Sequence, residues 1–200
     1  MRLIAHRINT LEELLALDET CPIEFDVRDS GGRLLVTHDP FTDGVDFEVF
    51  APHLRKRFSI VNIKSEGIEW RVLEILRQCS VRDFFFLDCS VPMMVQLMNR
   101  GERRFAVRYS EYESINSVLR WSGIAQWVWV DCFYTYFLTE FIMNQLRQAG
   151  FNICIVSPEL QRRPDEIHKY INHLRANNVS VQAVCTKIYN FSTWQTLENI

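Results

Sequence analysis

Phe58-Ser59-Ile60-Val61-Asn62-Ile63-Lys64 is followed by a second pattern, Ile68, Val72, Ile75 and Leu76 within residues 67–78. The first stretch is mostly apolar and ends in a charge. That suits a parallel strand buried on both faces. The second has helical spacing. Together they make one strand-then-helix unit, and the unit recurs outward in both directions. Apolar runs rich in Ile, Val or Phe occur at 2–6, 22–27, 58–64, 84–88, 105–108, 127–131, 152–156 and 181–186. Between them, helical patterns are predicted at 11–17, 67–78, 92–98, 113–121, 139–148, 164–175 and 190–197. Asn9-Thr10-Leu11-Glu12-Glu13 fits a capping box for the first of these helices.

One segment breaks the alternation. Asp29-Ser30-Gly31-Gly32, followed by the run at 34–38, predicts a hairpin and return strand. A long, partly acidic connection at 39–57 then stands where a regular helix belongs. Alternation of this kind predicts an α/β fold with a parallel sheet under helical cover. Eight units close into a (β/α)8 TIM barrel, trimmed because such barrels usually take about 250 residues. The expectation is one domain over residues 1–200. A doubly wound open sheet would carry a Gly-rich phosphate turn, and the seven glycines form neither GxGxxG nor a P-loop.

Bulk properties narrow the function. The net charge of −3 gives no reason to expect nucleic acid as a partner. No run approaches the ~18 apolar residues of a membrane span. The six cysteines (21, 79, 89, 132, 154 and 185) form no CxxC pair and read as free thiols in a reducing, cytoplasmic compartment.

Polar residues gather where the apolar runs end: His6-Arg7, Glu24-Phe25-Asp26, His38-Asp39, Asn62-Ile63-Lys64, Asp88, Arg108, Asp131 and Thr186-Lys187. In a parallel barrel these ends surround one opening, where barrel enzymes keep their active sites. Glu24 and Asp26 are two apart on a strand and share a face, with Phe25 turned towards the helices. Two close carboxylates repel unless a cation intervenes, and a hard divalent ion suits them. Asn62 offers that ion a neutral oxygen, and Lys64 a fixed positive charge. Two histidines can divide general base and general acid duty near neutral pH. The set suits an anionic substrate and phosphoryl chemistry.

These four motifs, in this order, resemble those of the glycerophosphodiester phosphodiesterase family within the phospholipase-C-like phosphodiesterases, over residues 2–66. That family's pattern is His-Arg-Gly, Glu-x-Asp-Val, His-Asp and Glu-x-Lys. The resemblance implies a distorted barrel that hydrolyses a small phosphodiester. It implies His6 and His38 as the acid/base pair, Glu24 and Asp26 as ligands of Mg²⁺ or Ca²⁺, and Arg7 and Lys64 on the phosphate. In the family a neighbouring substrate hydroxyl often attacks phosphorus. The chain departs from the pattern in three ways. Ile8 replaces the Gly of the first motif, Asn62 replaces the Glu of the last, and the insertion after His38-Asp39 is short. Asp88 is the candidate replacement carboxylate, and Arg108 a further phosphate contact. The rival expectations are a phosphate- or phospholipid-headgroup-binding barrel without turnover and an interaction protein using its aromatic loops.

His53, His168 and His173 are expected at the surface, and Trp127 and Trp129 in the core. Phe133, Tyr134, Tyr136 and Phe137 fall on a strand-to-helix loop of the active face, where they serve either packing or a binding surface. Arg55-Lys56-Arg57 and Arg103-Arg104 precede strands and read as solvated charge.

Overall fold

The computed structural model describes residues 1–177 and 179–197. They form two compact units, Ala5–Phe105 and Met1–Ile4 with Ala106–Ile200.

In the first unit, Ala5, the last residue of β1 (Arg2–Ala5), pairs in parallel with Ile23 of β2 (Ile23–Ser30). Between them lies α1 (Leu11–Ala16), whose N-terminus carries the expected capping box. The Glu13 N–H donates to Thr10 Oγ1 at 3.1 Å, and the Thr10 N–H to Glu13 Oε2 at 3.1 Å. β2 turns back into β3 (Arg33–Val36) through Gly31 and Gly32, both at positive φ (57° and 80°). A two-residue hairpin loop of type I′ needs that conformation at both positions, and glycine adopts it without steric cost. β4 (Val45–Asp46) extends the hairpin by one more antiparallel partner.

The connection at 39–57 is more ordered than its sequence implies. It holds a single-turn helix, α2 (Phe47–Phe50), and a 3₁₀ turn at Ala51–Leu54. The reason is aromatic burial. Phe25 packs against Phe47 (6.0 Å between centroids) and Phe50 (5.0 Å), so α2 covers the outer face of β2. Because neighbours on a strand alternate sides, Glu24 and Asp26 are on the opposite face. β5 (Ser59–Ile63) and β6 (Phe84–Leu87) continue the parallel sheet, followed by α3 (Glu69–Gln78) and α4 (Val91–Asn99) respectively.

In the second unit, β7 (Ala106–Ser110), β8 (Trp127–Asp131), β9 (Asn152–Val156) and β10 (Ala183–Thr186) pair in parallel in sequence order. The Arg2 N–H donates to the Gln182 carbonyl. The intervening helices are α5 (Ile115–Leu119), α6 (Glu140–Gln148) and α7 (Ile167–Ala176), and α8 (Phe191–Gln195) follows β10. Trp127 and Trp129 are core residues as expected, while Tyr134 is exposed. All six cysteines are free. Among the described residues, no helix is long and apolar enough to cross a membrane.

The basic segments differ from their sequence reading. Arg55 and Lys56 are exposed, but Arg57 is buried, at 4% exposure. Its guanidinium donates to the carbonyls of Leu14, Leu17, Asp18, Cys21 and His53 at 2.7–3.3 Å. The planar fork gathers carbonyls from the end of α1, the turn after it and the 3₁₀ turn, where the backbone leaves the regular hydrogen-bonding pattern. Arg104 is likewise held, by Glu102 and over the Phe84 ring.

Arg57→Leu should therefore lower the free energy of unfolding by about 3 kcal/mol or more, because it strands several buried carbonyls. Urea unfolding followed by circular dichroism measures this. A loss under about 0.5 kcal/mol, the range of ordinary surface substitutions, would contradict the stapling role.

Candidate active site

Glu24 and Asp26 sit on the inner face of β2, each 1% exposed. Asn62 is beside Asp26 in the parallel register with β5. Its amide Nδ2 donates to Glu24 Oε1 at 2.9 Å. Glu24 Oε2 accepts the Arg7 backbone N–H at 2.7 Å, and His6 Nε2 lies 3.8 Å away. Asp26 Oδ2 accepts from Asn9 Nδ2 at 2.7 Å, with Arg7 Nε at 3.9 Å. Lys64 Nζ stands between two carboxylates, 3.4 Å from Asp26 Oδ1 and 3.6 Å from Asp88 Oδ2.

Local backbone conformation builds this cluster. Arg7 follows β1 in the left-handed region, at φ 59°. A side chain there is strained, by of order 1–3 kcal/mol. The turn aims the Arg7 N–H at Glu24 Oε2 and lets the Ile8 N–H reach the Glu24 carbonyl at 2.8 Å. Glycine would adopt this conformation freely, and the chain instead keeps the arginine there. Asp88, just past β6, is left-handed too (φ 60°).

The electrostatics follow from burial. The Glu24 carboxyl is pushed up to about 7, first by burial and then by the neighbouring Asp26 charge. The Asn62 amide, the Arg7 N–H and the Lys64 ammonium oppose the shift. Two buried oxygens, Asp26 Oδ1 and Asn62 Oδ1, have no hydrogen-bond donor, although Asp26 Oδ1 keeps its ion pair with Lys64. Hard oxygen donors facing an excess of negative charge fit a divalent cation. Among the described residues no three His, Cys, Asp or Glu side chains group closely enough to hold a metal. The donor set is thus two carboxylates and one amide, with Asp88 engaged at Lys64.

His38 pairs through Nδ1 with Asp39 Oδ1 at 2.7 Å. The Asp39 carboxyl is held below its ordinary range, mainly by that hydrogen bond, with the His38, Arg7 and Arg28 charges contributing. Arg28 also donates to the His38 carbonyl at 3.0 Å.

The sequence positions His6, Arg7, Glu24, Asp26, Asn62, Lys64 and Asp88 thus converge. Arg108 belongs to the second unit, where it pairs with Asp131, and Asp131 also accepts from Gln161 at 2.6 Å. Sequence reasoning missed Asn9. Its side chain clamps Asp26 twice, since Asn9 Oδ1 also accepts the Asp26 N–H at 2.9 Å. Asn9 precedes Thr10 and was accounted for by the helix start, which its backbone N–H does serve by donating to Glu13. No spacing rule signals that its side chain turns towards β2.

No protein-family model matches the chain, and no curated protein does. Solved structures do match. A protein of Agrobacterium tumefaciens assigned as a glycerophosphoryl diester phosphodiesterase has a TM-score of 0.72 at 15% identity, covering 99% of this chain and 98% of its own. A glycerophosphodiester phosphodiesterase of the same organism has a TM-score of 0.68 at 19% identity, covering 92% and 96%. The chain shares their fold, a trimmed TIM-barrel-like α/β fold.

A raised carboxyl stabilises the fold at low pH and loses that contribution as pH climbs. Glu24 is protonated below its ordinary 4.5 in both folded and unfolded chains, and its contribution disappears as pH passes about 7. In EDTA, wild type should therefore lose stability relative to Glu24→Gln between about pH 4.5 and pH 8. Urea midpoints across that window measure it, and a difference independent of pH would rule the shift out.

Proposed function

We propose that the chain is a metal-dependent phosphodiesterase acting on a glycerophosphodiester-like or related small diester. Glu24, Asp26 and Asn62 would hold one Mg²⁺ or Ca²⁺ ion. The observation that carries this reading is the buried carboxylate pair with two oxygens lacking donors, bordered by Arg7, Lys64 and His6. The fold shared with glycerophosphodiester phosphodiesterases supports it. Bound there, the ion supplies positive charge to the phosphate oxygens and relieves the Glu24–Asp26 repulsion.

The protein's own groups account for the remaining steps. The Arg7 guanidinium and the Lys64 ammonium orient the phosphate and neutralise charge growing on its oxygens. One histidine takes the proton of the attacking water or substrate hydroxyl, and the other returns a proton to the departing alkoxide. With Nδ1–H donated to Asp39, His38 has its Nε2 lone pair available for such transfer. Asn9 keeps the Asp26 carboxylate oriented. Six free cysteines fit a reducing compartment, so we assign the protein to the cytoplasm.

A second reading has one observation in its favour. Glu24 and Asp26 already accept hydrogen bonds from Asn62, Arg7 and Asn9, so the pair is partly compensated without an ion. A barrel of that kind would bind phosphate or a phospholipid headgroup without turnover.

Hydrolysis of bis(p-nitrophenyl) phosphate and of glycerophosphodiesters separates the two. The expected result is turnover that stops in EDTA and returns with Mg²⁺ or Ca²⁺. His6→Ala should lower kcat by about 10²–10⁴-fold, the usual share of a general acid or base. Phosphate binding with no turnover under any metal would favour the binding barrel.

A further inference from the structure

At the other end of β6 from Asp88, the same unit contains a cavity of about 540 Å³. Its walls are the outer face of α3 (Trp70, Leu73, Glu74 and Arg77), Arg82 just before β6, Phe84 at its start, and the Glu102–Arg104 segment. The α3 residues recur at helical spacing on the side opposite the buried Val72, Ile75 and Leu76. The volume lies in the range of small-molecule sites. Phe84 and Asp88 are four residues apart along an extended chain, or about 13 Å. The cavity is therefore distinct from the Glu24–Asp26 centre.

One wall is held rigid. Arg104 lies over the Phe84 ring, 4.2 Å from its centroid, and donates to Glu102 at 2.9 and 2.6 Å. Glu102 also accepts the backbone N–H groups of Arg103 and Arg104. Arg104 and Glu102 cancel each other's charge. Arg77 and Arg82 remain, opposed by Glu74, whose carboxylate accepts from Gln78 at 3.4 Å. Both guanidinium groups are exposed, and neither has a hydrogen-bond or ion-pair partner among the described residues. Trp70 supplies an aromatic wall, with the Arg100 guanidinium 4.3 Å from its ring centroid. Unpaired guanidinium groups suit phosphate or carboxylate oxygens, and aromatic side chains suit a planar ring.

We propose that this cavity is a binding site for a small organic anion carrying a planar ring, of the class of a nucleoside monophosphate. Arg77 and Arg82 take the anionic group, and Trp70 borders the ring.

Adenosine monophosphate is a suitable probe, because as a monoester it is not a diester substrate. Its binding to the full chain is followed by calorimetry, with inorganic phosphate as the ring-free control. Wild type and Asp26→Asn should bind it alike and more tightly than phosphate. The double variant Arg77→Ala/Arg82→Ala removes exposed, unpartnered side chains and should keep the wild-type circular dichroism. It should bind about tenfold more weakly or worse, the loss of at least one charged hydrogen bond. The proposal is overturned if wild type does not bind the probe or binds phosphate as tightly. It is overturned equally if the double variant keeps full affinity or if only Asp26→Asn loses it.

Discussion

Glu24 and Asp26 place two carboxyl groups side by side on one face of a strand whose other face is sealed by Phe47 and Phe50. Burying one carboxylate without compensation costs several kcal/mol, and burying two side by side adds their repulsion. Much of the surrounding architecture answers that cost. Asn9 and Asn62 turn amide donors towards the pair, the Arg7 backbone enters a left-handed conformation to present its N–H, and Lys64 is drawn between Asp26 and Asp88. Glu24 still titrates near neutral pH. Replacing buried charged groups with well-packed apolar residues is often neutral or stabilising, so stability alone does not account for the pair.

The two ends of β6 show a division of labour. Beyond its C-terminal end, Asp88 and Lys64 face the carboxylate pair, and charge there is mutually engaged and partly buried. At its N-terminal end, Arg104 and Glu102 form a stacked, closed pair beside Phe84, while Arg77 and Arg82 remain unpaired. Elsewhere in the unit, Arg57 shows how a charge can serve packing instead. Its five carbonyl partners tie together the end of α1, the turn after it and the 3₁₀ turn.

The strand–helix rhythm, the hairpin at Gly31–Gly32, the capping box at Thr10 and the face shared by Glu24 and Asp26 were all legible in the sequence, because each depends on residues a few positions apart. Periods of 2 and 3.6 residues and the conformational freedom of glycine are local properties. The convergence of His6, Arg7, Glu24, Asn62 and Lys64 was also legible, since parallel strands bring their C-terminal ends to one side. Three further things were decided by tertiary structure alone. Asn9 reaches Asp26 across 17 positions, Arg57 reaches Leu14 across 43, and Asn62 places its donor on Glu24 across 38. In each case the residue type permits several roles, and the partner is a buried polar group that must be satisfied where the chain happens to cross it. No periodicity encodes such a crossing. It exists only once the strands have paired and water has been excluded.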